Sequence, residues 1–151
     1  MNINYFKAAE DDISSLPKLK RSLQLLTKRR LKIIEEGSPT EPNAIDYSKP
    51  YIDAHFVNNT LNEILEIAET NRAIAKTERR IAEVEEILAE LTKEQREVLT
   101  MFYIDRFSAD KIAKKIFVES GKTVYNIRNR AVAEYALIAY GAPAESCRAK
   151  M

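Results

Sequence analysis

Polar and basic side chains cluster between residues 111 and 130, at spacings that suit nucleic-acid binding. An asparagine amide pairs well with adenine in the major groove, arginine or lysine pairs with guanine, and both cations neutralise phosphates. We expect base or near-base contacts from Lys122, Tyr125, Asn126, Asn129 and Arg130. The remaining members are expected to lie near the DNA backbone, and the basic ones among them to contact phosphates. These residues are Lys111, Lys114, Lys115, Ser120, Thr123 and Arg128.

Two short helices joined by a turn must present these side chains. On the first helix the inward positions are Ile112, Ala113 and Ile116, and the small Ala113 allows a second helix to cross closely. On the second helix, which Ser120 is placed to cap, an apolar stripe at helical spacing comprises Val124, Ile127, Ala131 and Ile138. This layout predicts a DNA-reading helix-turn-helix, although an ordinary helical hairpin with a solvated, mildly basic face has the same pattern.

The rest of the chain also reads as helical, which predicts an all-α fold. Residues 3–11 suggest a short helix, and Ser15-Leu16-Pro17 suggests the start of a second one that runs to about Glu36 and stops at Gly37. A proline-rich loop covers residues 38–50, with Tyr47, Tyr51 and Ile52 as its expected anchors on the fold.

A long charged helix is predicted from about Asp53 to Leu91. Thr92, with Gln95 three residues later, then gives the capping-box pattern of a fresh helix that ends around Ile104. The last helix should continue to about Tyr140, where Gly141 and Pro143 stop it. We therefore predict three regions: an N-terminal helical hairpin at 1–91, a helix-turn-helix domain at 92–141 and a flexible tail at 142–151.

Charge is distributed unevenly along a chain whose net charge is only +1. Seven bases and no acid lie between Ile13 and Ile34, whereas acids outnumber bases between Leu61 and Glu90. The basic Lys18–Lys32 segment is therefore expected to pair with the acidic long helix, although a second DNA-contacting surface is the alternative. The long helix could equally pair with a second copy of the chain, as a homodimer, through its apolar repeat between Ile67 and Leu91.

The C-terminal third resembles region four of bacterial sigma factors and the regulators built on that module. The residues that carry the resemblance are Ile112-Ala113-x-x-Ile116, a turn, Ser120-x-x-Thr123-Val124, and then Arg128-x-Arg130-Ala131, behind a leading helix with Arg96-x-Val98. It covers about Leu91 to Tyr140. The turn departs from the family pattern, because residues 116–120 are one residue longer than the usual Leu-Gly-x-Ser and contain no glycine.

The whole layout also resembles small phage-encoded transcriptional regulators of the ArpU and RinA type. That resemblance rests on the leading basic helix, the proline-rich connection, the long charged helix and the segment Tyr103-Ile104-Asp105-Arg106-Phe107-Ser108. It implies a promoter-binding regulator of late-gene type without catalytic residues. Two alternatives remain open: a phage small terminase subunit, and a module that binds RNA polymerase without reading DNA.

No constellation typical of an enzyme, a metal site or a cofactor site appears in the sequence. The one histidine, His55, and the one cysteine, Cys147, are far apart, so they predict neither a zinc site nor a disulfide. We read His55 as structural and Cys147 as a free thiol. No apolar run approaches the roughly 20 residues of a membrane span. We expect a cytoplasmic protein with duplex DNA as its partner, no cofactor and no membrane association.

Overall fold

The computed structural model describes residues 2–37 and 54–149, and every regular element in this part of the chain is helical. The all-α prediction is confirmed. The elements are α1 (Tyr5–Gly37), α2 (Ala54–Glu90), α3 (Lys93–Leu99) continued by a π-helical turn (Thr100–Ile104), α4 (Ala109–Ile116), α5 (Gly121–Tyr140), a 3-10 turn (Ala142–Glu145) and α6 (Ser146–Ala149). The predicted loop at 38–50, its anchors Tyr47, Tyr51 and Ile52, and the His55 side chain lie outside the described residues.

The first helix differs from the prediction, because α1 runs unbroken through Pro17. Ser15 does not cap a new helix; its hydroxyl donates to the Asp12 carbonyl at 2.9 Å. Ile13 and Leu16 are buried on one face on the N-terminal side of the proline. Burial of such side chains stabilises by about 1.5–3 kcal/mol each, which offsets the roughly 3 kcal/mol that an interior proline costs.

Contacts divide the chain into two compact units, Lys20–Arg79 and a second unit made of Met1–Leu19 with Arg80–Met151. The start of α1 and the end of α2 therefore lie in the same unit as the helix-turn-helix. The sequence had assigned both segments to the hairpin region. The predicted domain boundaries at residues 91 and 141 concern which parts of the chain fold independently, and they stay a prediction.

In the Lys20–Arg79 unit, α1 and α2 contact each other within one chain. Arg30 of α1 donates to the Asn71 side-chain oxygen of α2 at 3.3 Å. Ile33, Thr70 and Ile74 are buried here. The two helices therefore contact each other in this unit, and the pairing of the basic segment with the acids of the long helix stays a prediction.

The junction between α2 and α3 follows the prediction closely. The Thr92 hydroxyl accepts from the Gln95 amide at 3.2 Å, and the Gln95 side chain accepts from the Thr92 amide at 3.3 Å. This reciprocal capping box starts α3 as expected. The helix persists to Ile104 as predicted, but its last turn widens, because the Asp105 amide donates to the Thr100 carbonyl five residues back at 2.9 Å.

Candidate nucleic-acid interface

The helix-turn-helix is held by one apolar cluster contributed by α3, α4 and α5. Val98, Ile112, Ala113 and Val124 are buried at its centre. Ile116 and Ile127 are partly buried and pack against them, together with Phe102 and Phe107. The inward positions predicted for α4 are therefore confirmed, as are the first three predicted for α5, Val124, Ile127 and Ala131.

Ile138, the fourth residue of the predicted inward stripe, is instead 44% exposed. Beyond Ala131 the buried residues of α5 are Val132, Ala133, Tyr135 and Ala136, which spread over about half of the helix circumference rather than along one stripe. A single stripe no longer describes the helix here, because elements pack on it from more than one side. Ile138 itself faces an open cleft.

Gly121 is a point of close approach between α5 and α4. A β-carbon at this residue would lie 3.2 Å from the Ala109 Cβ and 3.0 Å from the Asp110 Oδ1. Such distances are tighter than ordinary van der Waals contact. The absence of a side chain at Gly121 therefore lets the first turn of α5 lie against the first turn of α4.

The turn between the two helices contains a left-handed residue that is not glycine. Phe117 adopts φ 61° and ψ 43° at the end of α4, and its side chain is 94% exposed. The Val118 amide donates to the Ala113 carbonyl at 3.0 Å, which closes the helix end. Ser120 stands at the N-cap position as predicted, but its side chain makes no capping hydrogen bond.

The lysines of α4 concentrate positive charge beside one aromatic ring. The Lys111 ammonium lies 4.0 Å from the centroid of the Phe107 ring, and that of Lys115 lies 4.8 Å from it. Both side chains are exposed, as is Lys114. Two ammonium groups held beside the same ring form a local cationic site of the kind that attracts phosphate.

The predicted contact residues of α5 fall into two groups by exposure. Lys122, Tyr125, Asn126 and Arg130 are exposed, whereas Thr123, Arg128 and Asn129 are half-buried. Arg130 lines an open cleft of about 580 Å³ that Thr92 and Gln95 of α3 also line. Asn129 and Arg128 line a different cavity, of about 390 Å³, beside Asn4, Tyr5 and Phe6 at the start of α1.

Arg128 is held by aromatic rings and by its neighbour. Its guanidinium carbon lies 4.8 Å from the centroid of the Phe102 ring and 5.1 Å from that of Tyr125. The two rings themselves meet edge to face at 5.9 Å. Arg128 also donates from Nε and Nη2 to the Asn129 Oδ1, at 3.1 and 2.6 Å. This arrangement fixes the position of Tyr125 on the outer face of α5.

A polar cluster centred on the buried Asp12 joins α1, α2 and α5, and sequence reasoning did not find it. The Asp12 carboxylate accepts from the Tyr140 hydroxyl at 2.6 Å and forms a short ion pair with Arg80. The Tyr135 hydroxyl is buried and has no hydrogen-bond partner among the described residues. The only sequence signal was an acid and an aromatic residue at helix positions that would otherwise be apolar.

The titration properties of this cluster follow from burial and from Asp12. Burial, followed by the hydrogen bond to Asp12 and its negative charge, raises the pKa of Tyr140 to about 12. Burial and the same carboxylate raise the pKa of Tyr135. Burial alone would lower the pKa of Arg80, but the charge of Asp12 helps to raise it. Nearby, burial and the Glu10 carboxylate, which accepts from the Tyr103 hydroxyl at 3.0 Å, raise the pKa of Tyr103.

Comparison with known protein families gives one result. Residues 81–132 match the family described as Sigma-70, region 4. The segment is therefore a sigma-region-four-like helix-turn-helix, as the resemblance had predicted. The match begins at Ile81, in the last turns of α2, about ten residues before the segment that carried the resemblance. No curated protein and no solved structure matches the chain.

Among the side chains of residues 2–37 and 60–148, no three histidine, cysteine, aspartate or glutamate groups are placed to hold a metal ion. No helix in these same ranges has the length and apolar composition needed to cross a bilayer. Cys147 is a free, buried thiol.

Proposed function

We propose that this protein is a sequence-specific transcriptional regulator that binds duplex DNA through its sigma-region-four-like helix-turn-helix. One observation carries the proposal. The segment that matches Sigma-70, region 4 contains the exposed, polar first turns of α5, with Lys122, Tyr125 and Asn126. These residue types suit a major groove, and the amides of the helix N-terminus suit a phosphate.

In the proposed complex the two helices have different tasks. The first half of α5 reads base edges, while Lys111, Lys114 and Lys115 of α4 neutralise phosphates. The pairing of Lys111 and Lys115 over Phe107 supports the second task, because it holds two cations close together at one place. Thr123 and Ser120 at the start of α5 add hydroxyl groups for the sugar-phosphate backbone.

The test is a selection of DNA fragments bound by the purified full-length protein, at near-physiological salt and again at higher salt. We expect enrichment of one promoter-like site that survives the higher salt. Lys115→Ala should weaken binding to every sequence and reduce the salt dependence, because one phosphate contact fewer releases fewer counterions. Binding without enrichment that vanishes as salt rises would reject the regulator and favour a module that acts through RNA polymerase.

The finer parts of the proposal rest on the resemblance of the chain's layout to phage regulators. We propose a phage or prophage origin, a role in late-gene expression, a cytoplasmic location, and action without catalysis or a cofactor. The small terminase subunit is the rival that shares a helix-turn-helix. Light scattering distinguishes the two, because a terminase subunit assembles into a ring of many copies whereas a regulator is a monomer or dimer.

We also propose a homodimer that forms through the long helix. In the repeat predicted between Ile67 and Leu91, the side chains of Ile74, Ile81, Val84 and Leu88 are buried within the chain. The support comes instead from an apolar face of α2 that precedes this repeat, composed of Leu61, Ile64 and Leu65, each more than half exposed. Their spacing of three and four residues places them together on the helix. Leu61→Glu with Leu65→Glu should convert a dimer into a monomer in light scattering. Equal masses for the wild type and the variant would reject this interface.

A further inference from the structure

The two asparagines that were predicted to contact bases differ in how many hydrogen-bonding atoms of the side-chain amide are already used within the protein. Asn129 is half-buried, and its Oδ1 accepts two hydrogen bonds from Arg128. Arginine has donors only, so the amide oxygen, not the nitrogen, must face it. An amide oxygen has two lone pairs, and both are used here.

Asn126 lies three residues earlier on the same helix and is exposed. Its side chain makes no hydrogen bond within the described residues, so both ends of its amide are available. Bidentate pairing with adenine needs both ends, because the oxygen must accept from N6 while the nitrogen donates to N7. Asn126 meets this requirement, and Asn129, as it is held, does not.

Building on the proposed function, we propose that Asn126 alone carries asparagine readout of adenine, and that Asn129 is a positioning residue for Arg128 and Tyr125. The Asn129 oxygen orients the guanidinium so that it lies against the rings of Phe102 and Tyr125. Tyr125, which is 45% exposed, is thereby presented beside Asn126 on the outer face. Two of the N–H donors of Arg128 are used in this arrangement.

The surroundings of Asn129 support the same assignment. The residue lines the cavity of about 390 Å³ that Asn4, Tyr5 and Phe6 border at the start of α1. The outward stripe of α5 that begins at Lys122 is therefore flanked by protein at Asn129. Base readout from this stripe ends with Asn126.

A matched pair of substitutions tests the division of roles. Asn129→Asp keeps an oxygen that accepts from Arg128, removes the amide donor and adds a negative charge. Asn126→Asp makes the identical chemical change at the other position. The readout is the base preference at each position of the site, selected from randomised DNA. We expect Asn129→Asp to keep every preference with a uniform loss of affinity from its added negative charge. Asn126→Asp should lose the adenine preference at one base pair.

A change of base preference in Asn129→Asp would overturn the inference while leaving the proposed function intact. If the wild-type protein shows no base preference at all, the proposed function fails and this inference fails with it. The positioning role has its own readout, the NMR resonance of the Arg128 Nε–H. Its ring-current shift should persist in Asn129→Asp and disappear in Asn129→Ala. An unchanged shift in Asn129→Ala would reject the positioning role.

Discussion

The two halves of α5 have opposite environments. Its first turns present exposed polar residues such as Lys122, Tyr125 and Asn126 on one side. Its second half buries Val132, Ala133 and Tyr135 completely, and Tyr140 near its end is tied to Asp12 of α1. One helix therefore contains both the proposed contact surface and the anchor that fixes it. A substitution in the first half of α5 should therefore affect DNA binding, whereas one in the second half should affect stability.

The anchor should give the largest effect on folding. Asp12→Ala removes the acceptor of the Tyr140 hydroxyl and one of the two carboxylate partners of the half-exposed Arg80, the other being Glu83. We expect the free energy of unfolding to fall by about 2 kcal/mol, mainly because a hydrogen bond to a charged acceptor is lost, since an ion pair with a half-exposed arginine contributes little. Chemical denaturation monitored by circular dichroism measures it.

Asp11→Ala is the matched control for Asp12→Ala. Asp11 is the preceding residue on α1, its side chain is exposed, and it pairs with Lys7 at 3.1 Å across one helical turn. An exposed pair of this kind contributes roughly 0.5 kcal/mol or less. Equal losses in the two variants would mean that the buried cluster does not anchor the helix.

The contact half should show the reverse pattern. Asn126→Ala is expected to weaken binding to the selected site by about 1–3 kcal/mol, because a bidentate base contact is lost. Its unfolding curve should match that of the wild type, since Asn126 is exposed. Fluorescence anisotropy on the selected site and on a random duplex makes the measurement. Equal losses on both duplexes would remove Asn126 from the base-reading residues.

Two tyrosines in the anchor allow a finer test. Tyr140→Phe removes a hydrogen bond to a charged acceptor, so we expect a loss of about 1.5 kcal/mol in the free energy of unfolding. Tyr135→Phe removes a buried hydroxyl that has no partner among the described residues, so stability should stay equal or rise. A loss in Tyr135→Phe as large as that in Tyr140→Phe would show that the Tyr135 hydroxyl does make a stabilising contact.

The pH dependence of the free energy of unfolding gives a further test of Tyr140. The pKa of Tyr140 is raised from 10.0 to about 12, so the folded state holds this proton more tightly than the unfolded state. The associated stability is complete below pH 10 and is lost as pH rises towards 12. Tyr140→Phe should therefore lose less stability over this interval than the wild type does. An identical decline would assign the effect to other groups.

The two halves of α5 also differ in how well the sequence predicted them. Helix periodicity located Val124, Ile127 and Ala131 correctly, because all three lie on one buried or half-buried side of α5. The same periodicity failed at Ile138, which lines an open cleft. Near that end of α5, Tyr140 bonds to Asp12 of α1, which is distant in sequence, and no local pattern pairs the two.

Local signals were reliable elsewhere only where no distant contact competed with them. The capping box at Thr92 formed as predicted, since both of its partners lie within four residues. The helix start expected at Ser15 did not form, because burial of Ile13 and Leu16 favours a continuous α1. The role of Gly121 was missed because it depends on the position of Ala109, which the turn between the helices sets.

The turn that precedes α5 belongs to neither half and should affect stability without affecting base preference. Phe117 takes a left-handed conformation, and its ring is almost fully exposed. Phe117→Gly should therefore raise the free energy of unfolding by about 1 kcal/mol, because the steric cost of the β-carbon is removed while little packing is lost. Phe117→Ala keeps the β-carbon and should give no such gain. If alanine stabilises as much as glycine, the exposed ring and not the backbone conformation is the source of the cost.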